Sequence, residues 1–521
     1  MTAFRRLQSR LRLLAFAAVI GSGGRCAEET RRPNILFILT DDQSYKTLGC
    51  YEGSPAWIRT PHIDRLAAEG VRFRRSYLGA WCSPSRASLL TGRLQHAIEG
   101  FETVGSGVAS RYDPARCRFI PSEFRRQGYH TAHIGKWHTG DDTGFGRDWD
   151  HQIAWNTALT TSTGGYYGGQ RVTHDGEART VAGYPTDNYT RWAEEFIRGS
   201  RREAGKPWYL WLCYGAIHSP TIPAERHRGK YAGAKAPVPA DVFGPWPEKP
   251  AYLGRTKAWA PSAEGGPVLP ARTPRDSKAA PVPAVTFDRW IQQMNECLAS
   301  VDEGVGRLME ALEATGQRGN TLVVFASDQG YGLGEHGFNQ KVAAYDATVA
   351  SPLIISWPGR LPQGRVRSEG VNAPDLADFL CRTAGVSIPW KTHGRDIRSL
   401  LSDTSATSLT SPMLMTHTSR SYGAATSEIP TDGRLTASTG VPWYALLREG
   451  DLKYIRTLVA GETEEIYDLK ADPEELINLA ARPENAALLR RLRAATVAEL
   501  QRTEAPFIEH MPPTKALAGS N

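Results

Sequence analysis

Short, mostly apolar runs recur along the chain, and they constrain the fold more than any other feature. NILFILT (34–40), WYLWLCY (208–214), TLVVFAS (321–327) and PLIISW (352–357) are joined by the mixed run HTAHIGK (130–136). Each is too short for a buried helix and is bounded by proline, glycine or acidic residues, as strands buried on both faces are. Amphipathic stretches lie between them. TPHIDRLAAEG places Thr60 as an N-cap, Pro61 in the first turn and Gly70 at the end. Further helices are expected over 188–203, 287–314 and 375–384. Strands alternating with helices predict an α/β domain with a large, mostly parallel sheet sandwiched by helices.

That domain is expected to span 32–404. Residues 220–283 hold 13 of the 34 prolines, which marks them as an irregular surface excursion rather than a domain. WYALLREGDLKYIRTL and EEIYDL read as antiparallel strands, followed by a last amphipathic helix over about 484–502. They predict a smaller C-terminal α+β subdomain with an antiparallel sheet, over 405–510.

The formal charge of +7 invites a nucleic-acid partner, yet Arg5, Arg6, Arg10, Arg12 and Arg25 contribute five of those charges before any acid occurs. The remainder carries only +2, so no nucleic-acid partner is expected. Residues 1–26 combine this basic start with an apolar run from Leu13 to Ile20 and then small residues, a signal-peptide pattern. No later run is long enough for a transmembrane segment. An exported, periplasmic or secreted protein is expected. Its seven cysteines are widely spaced, with no CxxC pair and no zinc pattern.

Asp41 and Asp42 close one expected strand, and Asp328 and Gln329 close another. Parallel sheets collect ligands at the carboxyl ends of their strands, so the two ends can converge. Three carboxylates and an amide oxygen suit a hard cation, calcium before zinc. Cys82 opens CSPSRASLLTGR near an expected helix start, with Arg86 one turn on. The positive end of a helix would stabilise a thiolate there. An all-oxygen metal site nevertheless favours an oxygen nucleophile. Lys136 and His138 follow at i and i+2 on a strand end, which points them the same way.

CSPSRASLLTGR (82–93) resembles the CxPSRxxxLTGR signature of the formylglycine-dependent sulfatases. NILFILTDDQ, TPHIDRLAAEGVRF, GKWH (135–138), HSP (218–220), SDQG (327–330), HGFNQK (336–341) and IYDLKADPEELINLA are similar to sulfatase segments in the same order. The resemblance covers nearly the whole chain after the N-terminal segment, and implies an alkaline phosphatase-like fold. It implies that Cys82 is a precursor, oxidised by a formylglycine-generating maturation enzyme to formylglycine (3-oxoalanine), whose hydrate supplies the nucleophile.

By the same resemblance Asp41, Asp42, Asp328 and Gln329 hold Ca2+, with the residue made from Cys82 completing the set. Arg86 orients the aldehyde hydrate, and Lys136 and Lys341 neutralise sulfate oxygens. His138 is implied as the base and His218 as the general acid to the leaving alcohol. His336 shares HGFNQK with Lys341 and is a candidate for a supporting contact. Gln329 departs from the Asn or His commoner at that family position.

A sulfated carbohydrate is the expected substrate, met outside the cytoplasm, because the Trp- and Pro-rich excursion offers apolar faces to sugar rings. The alternatives are a phosphonate or phosphodiester hydrolase on the same fold and a non-catalytic sulfoglycan-binding homologue.

Overall fold

The strand Asn34–Thr40 runs parallel to both neighbours, Thr321–Ser327 on one side and Trp208–Cys213 on the other. His130–Lys136 and then His151–Trp155 continue the parallel set beyond Trp208–Cys213. In this computed structural model the residues described are 32–104, 109–156, 163–272, 281–402, 409, 411–430 and 440–514. The expected signal peptide and the boundary near 405 lie outside them.

Alternation explains why the runs are apolar throughout. Leu36, Ile38, Leu210, Leu212, Val323 and Phe325 pack on one face of the sheet. Ile35, Phe37, Leu39, Tyr209, Trp211, Leu322 and Val324 pack on the other. Helices Phe287–Ala314 and Pro185–Ile197 cover the first face, while Cys82–Thr91 and Ala373–Ala384 cover the second. Every such side chain is removed from water, at about 1.5–3 kcal/mol for each large aliphatic or aromatic group.

Antiparallel pairs occur towards both flanks of this eleven-stranded sheet, although Arg365–Arg367 and Val371–Asn372 at one edge pair parallel with Val71–Tyr77. The PLIISW run is a buried strand, Ser351–Ser356, but it runs antiparallel to Thr321–Ser327. Beyond it Val71–Tyr77 pairs antiparallel again. Its sequence VRFRRSY hides the strand, because arginines interrupt the apolar pattern; Arg72 and Arg75 lie over the rings of Tyr51 and Tyr45.

Helix ends follow local chemistry. Phe287–Ala314 matches the expected span, and the Thr286 side chain accepts from Arg289 N–H. Asn372 and Asp375 form a reciprocal capping box on Ala373–Ala384. The helix expected over 188–203 occupies Pro185–Ile197 instead, started by its proline. Thr60 does not cap Pro61–Ala68; its hydroxyl donates to Asp64 Oδ1 at 2.8 Å and accepts from Gly49 N–H at 2.9 Å.

A second, four-stranded antiparallel sheet takes Met413–His417, Tyr444–Glu449, Leu452–Thr457 and Glu465–Asp468 in that order. Helix Ala486–Arg502 packs on it through Leu489, Leu492 and Leu500. The 220–283 excursion is mostly turns, yet it carries the short helix Leu253–Thr256 and strand pairs at 260–261 and 267–269. Buried Trp259 donates to the Phe338 carbonyl at 3.0 Å and anchors it. No helix among the described residues is long and apolar enough to cross a membrane.

Candidate active site

Parallel register delivers the first four residues. Thr40 lies opposite Ser327, so the next residues on each strand, Asp41 and Asp328, emerge side by side. Asp328 N–H donates to the Thr40 carbonyl at 3.1 Å, and Asp42 N–H donates to Asp328 Oδ1 at 3.2 Å. Asp42 adopts φ 59°, a turn that swings its carboxylate back over the strand end. The Gln329 amide nitrogen donates to Asp42 Oδ1. All four are buried.

Cys82 is the first residue of helix Cys82–Thr91, with Trp81 extended before it and Gly92 closing the helix in the left-handed region. Its Sγ lies 3.2 Å from Asp41 Oδ1 and 3.0 Å from Lys341 Nζ. One turn on, the fully buried Arg86 donates from Nε and Nη2 to Asp328 Oδ2 at 3.1 and 2.9 Å, and from Nη1 to the Lys136 carbonyl at 2.9 Å. The expected stabilisation of a Cys82 thiolate is not what the site provides. Burial, reinforced by the Asp41 charge, pushes the thiol well above its ordinary range despite Lys136 and Lys341. Cys82 is a neutral thiol here, and so are its prospects as a direct nucleophile poor.

Lys136 pairs with Asp41 Oδ2, and Lys341 with Asp42 Oδ1 at 2.6 Å. Gly135 lets the Lys136 strand come this close: at φ 110°, an added Cβ would sit 1.9 Å from the Cys213 carbonyl oxygen. His138 does not reach the site by strand alternation, since the strand ends at Lys136. It turns in at φ 59°, with both ring nitrogens buried and without a hydrogen-bond partner. Burial, then Lys136 and Arg86, hold its pKa far below the usual value, so the ring is neutral.

His218 arrives from the loop after Trp208–Cys213. Two backbone bonds lace that loop to Asp41: Asp41 N–H to the Ala216 carbonyl at 3.0 Å, and Ile217 N–H to the Asp41 carbonyl at 2.9 Å. His218 Nε2 lies 3.5 Å from Asp42 Oδ2, and its side chain is 24% exposed, which keeps it open to an incoming group. Burial depresses its pKa against the pull of Asp42 and Asp41.

His336 stands apart from this cluster. It pairs with Asp241 of the excursion at 2.6 Å and packs on Tyr345. Sequence reasoning missed Tyr166, which stacks flat on His218 and lies 5.2 Å beneath Lys136 Nζ. A tyrosine in a Gly-rich loop carries no motif, so nothing in the sequence marks it.

Asp41, Asp42 and Asp328 face Lys136, Lys341 and Arg86 in a buried setting, and burial with the Asp41 charge raises the Asp328 pKa to about 7 despite Arg86 and Lys136. Burial works against the Asp41 charge, but Lys136, His218, Arg86 and Lys341 together hold its pKa well below the usual range. Burial likewise opposes the Lys341 charge, and Asp42 with its acidic neighbours overcomes it. Carboxylate oxygens of Asp41, Asp42 and Asp328 and the Cys82 sulfur all lie within 4.8 Å of one another. Gln329 Oε1 is buried with no partner. An orphaned amide oxygen beside three convergent carboxylates fits a hard divalent cation.

Converging carboxylates, a buried cysteine at a helix start and fixed cations suit chemistry on an anionic ester. The Sulfatase family profile matches residues 33–386. The chain belongs to the sulfatase family and is a sulfuric ester hydrolase. An N-acetylglucosamine-6-O-sulfatase of Bacteroides thetaiotaomicron is 30% identical over 519 residues, covering 88% of this chain and 84% of that one. A solved structure in complex with its substrate D-glucosamine-2-N,6-O-disulfate superimposes with TM-score 0.74 at 25% identity, covering 91% and 98%. A phosphonate monoester hydrolase from Silicibacter pomeroyi shares the fold, with TM-score 0.70 at 22% identity over 92% and 97%.

Proposed function

We propose that the chain removes sulfate from a sulfated carbohydrate outside the cytoplasm, after export directed by residues 1–26 and conversion of Cys82 to formylglycine by a maturation enzyme. The observation that carries this is the position of Cys82 Sγ, 3.2 Å from Asp41 and 3.0 Å from Lys341, where a reacting oxygen would meet both metal ligands and a cation. The similarity to the Bacteroides N-acetylglucosamine-6-O-sulfatase and to the structure that holds D-glucosamine-2-N,6-O-disulfate supports a sugar as the substrate.

Asp41, Asp42, Asp328 and Gln329 would hold calcium, which supplies Lewis-acid polarisation of the sulfate and of the attacking oxygen. The side chain made from Cys82 would supply, as its hydrate, two geminal hydroxyls, one to attack sulfur and one to drive sulfate release. Arg86, locked by Asp328 and the Lys136 carbonyl, holds the residue at 82 in place. Lys136 and Lys341 lie on either side of it and neutralise charge on the sulfate. Neutral His138 can take a proton at a ring nitrogen. His218, part exposed at the cleft mouth, delivers a proton to the leaving sugar oxygen.

Two measurements test this reading. The Cys82 peptide from active enzyme should have the mass of formylglycine, and exhaustive chelation should abolish sulfate release, with calcium restoring it. Full activity with unmodified Cys82, or in verified metal-free protein, would overturn it.

A further inference from the structure

A cavity of about 660 Å³ opens beside the reaction centre, a volume that accommodates one or two sugar rings. Ser219, next to His218, and Gln340, next to Lys341, both line it. It therefore adjoins the segments that carry His218 and Lys341. One wall is aromatic: Trp290, from helix Phe287–Ala314, stands 6.1 Å from Tyr331, ring centre to ring centre. Such faces stack on the C–H side of a sugar.

The opposite wall comes from the 220–283 excursion and ends at Arg272. Backbone bonds to Val282, 3.0 Å from the amide and 2.9 Å to the carbonyl, fix that residue in a bridge, and the residue is exposed. Arg272 is the single charged residue lining the cavity among the described residues, and no carboxylate lines it. Tyr331 lies within electrostatic reach of Asp42 and Lys341 and also of Arg272, so cavity and reaction centre are near neighbours.

A guanidinium that is the single charge among the described residues of a partly aromatic cavity is a fork for a planar or tetrahedral anion. We propose that this cavity holds the sugar and that Arg272 binds a second anionic group on it, so that the enzyme selects sugars carrying one charge beyond the sulfate it removes. The inference rests on the carbohydrate reading above. It places specificity in the Pro-rich excursion rather than in the motif segments.

The test compares kcat/KM of wild type, Arg272→Ala and Arg272→Gln on D-glucosamine-2-N,6-O-disulfate, on N-acetylglucosamine 6-sulfate, and on a 6-sulfated glucosamine linked to a uronic acid. Glucosamine 2-N-sulfate and glucuronate are added as inhibitors of nitrophenyl sulfate hydrolysis. Both variants should lower the ratio of doubly to singly charged substrate by about 10- to 100-fold, the worth of one charge-assisted hydrogen bond, mostly through KM. The arm that responds identifies the second anion as sulfate or carboxylate. Equal losses on all three sugars in both variants would overturn the role of Arg272. Wild-type enzyme that hydrolyses nitrophenyl sulfate but neither hydrolyses any sugar sulfate nor is inhibited by either anion would overturn the carbohydrate reading itself.

Discussion

The imidazole of His218 lies flat on the ring of Tyr166, with centroids 4.2 Å apart and planes 5° from parallel. The Tyr167 hydroxyl donates to the His218 carbonyl at 2.6 Å, so adjacent tyrosines hold both ring and backbone. A general acid works only if its proton points at the leaving oxygen, and a stacked ring has one rotational freedom fewer to lose.

Tyr166→Leu should therefore lower kcat on a sugar sulfate by about 10-fold with a smaller change in KM, because it loosens His218 without removing it. Steady-state kinetics on N-acetylglucosamine 6-sulfate measure this; an unchanged kcat would reduce the stacking to packing alone.

His218→Ala should damage sugar sulfates by about 10²–10⁴-fold more than nitrophenyl sulfate, whose phenolate departs without a proton. The readout is the ratio of kcat/KM losses on the two substrates. Equal losses would leave His218 a binding or structural histidine.

Arg86→Met should cost about 3–5 kcal/mol of stability, since Arg86 and Asp328 are both fully buried and Asp328 Oδ2 would lose both guanidinium N–H bonds. Denaturant unfolding reports this directly. The double variant Arg86→Met, Asp328→Asn should recover part of the loss, as removal of both charges does in a buried pair.

Acid should weaken the anchoring of the second sheet. His96 is buried, with Nδ1 2.8 Å from Thr416 Oγ1 and Nε2 3.0 Å from the Thr503 carbonyl, and burial pushes its pKa from 6.5 to about 4. The unfolded chain takes up a proton near pH 6.5 that the folded chain refuses until about pH 4, so the contribution is complete above pH 6.5 and is lost as pH falls across that window. The full span corresponds to about 3 kcal/mol. Unfolding midpoints at pH 7, 5.5 and 4.5 should converge between wild type and His96→Gln as pH falls; a constant gap would remove His96 from the acid response.

The central strands, the long helix at 287–314 and the meeting of Asp41 with Asp328 were legible because parallel pairing obeys a simple rule: apolar runs pair in register and their carboxyl ends share one edge. The strands Val71–Tyr77 and Met413–His417 were not, since their pairing rests on neighbours distant in the chain rather than on their own pattern. His138 came to the expected place by an unexpected route, a left-handed turn that no periodicity describes.

What the sequence by itself determined is the sulfatase family and the main elements that carry its motifs, because apolar runs, helix punctuation and the CSPSR signature are local properties. Only the tertiary structure decided the protonation of Cys82, the seat of His218 on Tyr166, the exclusion of His336 and the placing of Arg272 beside the cleft. Each of these depends on burial or on through-space charge between residues tens to hundreds of positions apart, and such energies exist only once the chain has closed around them.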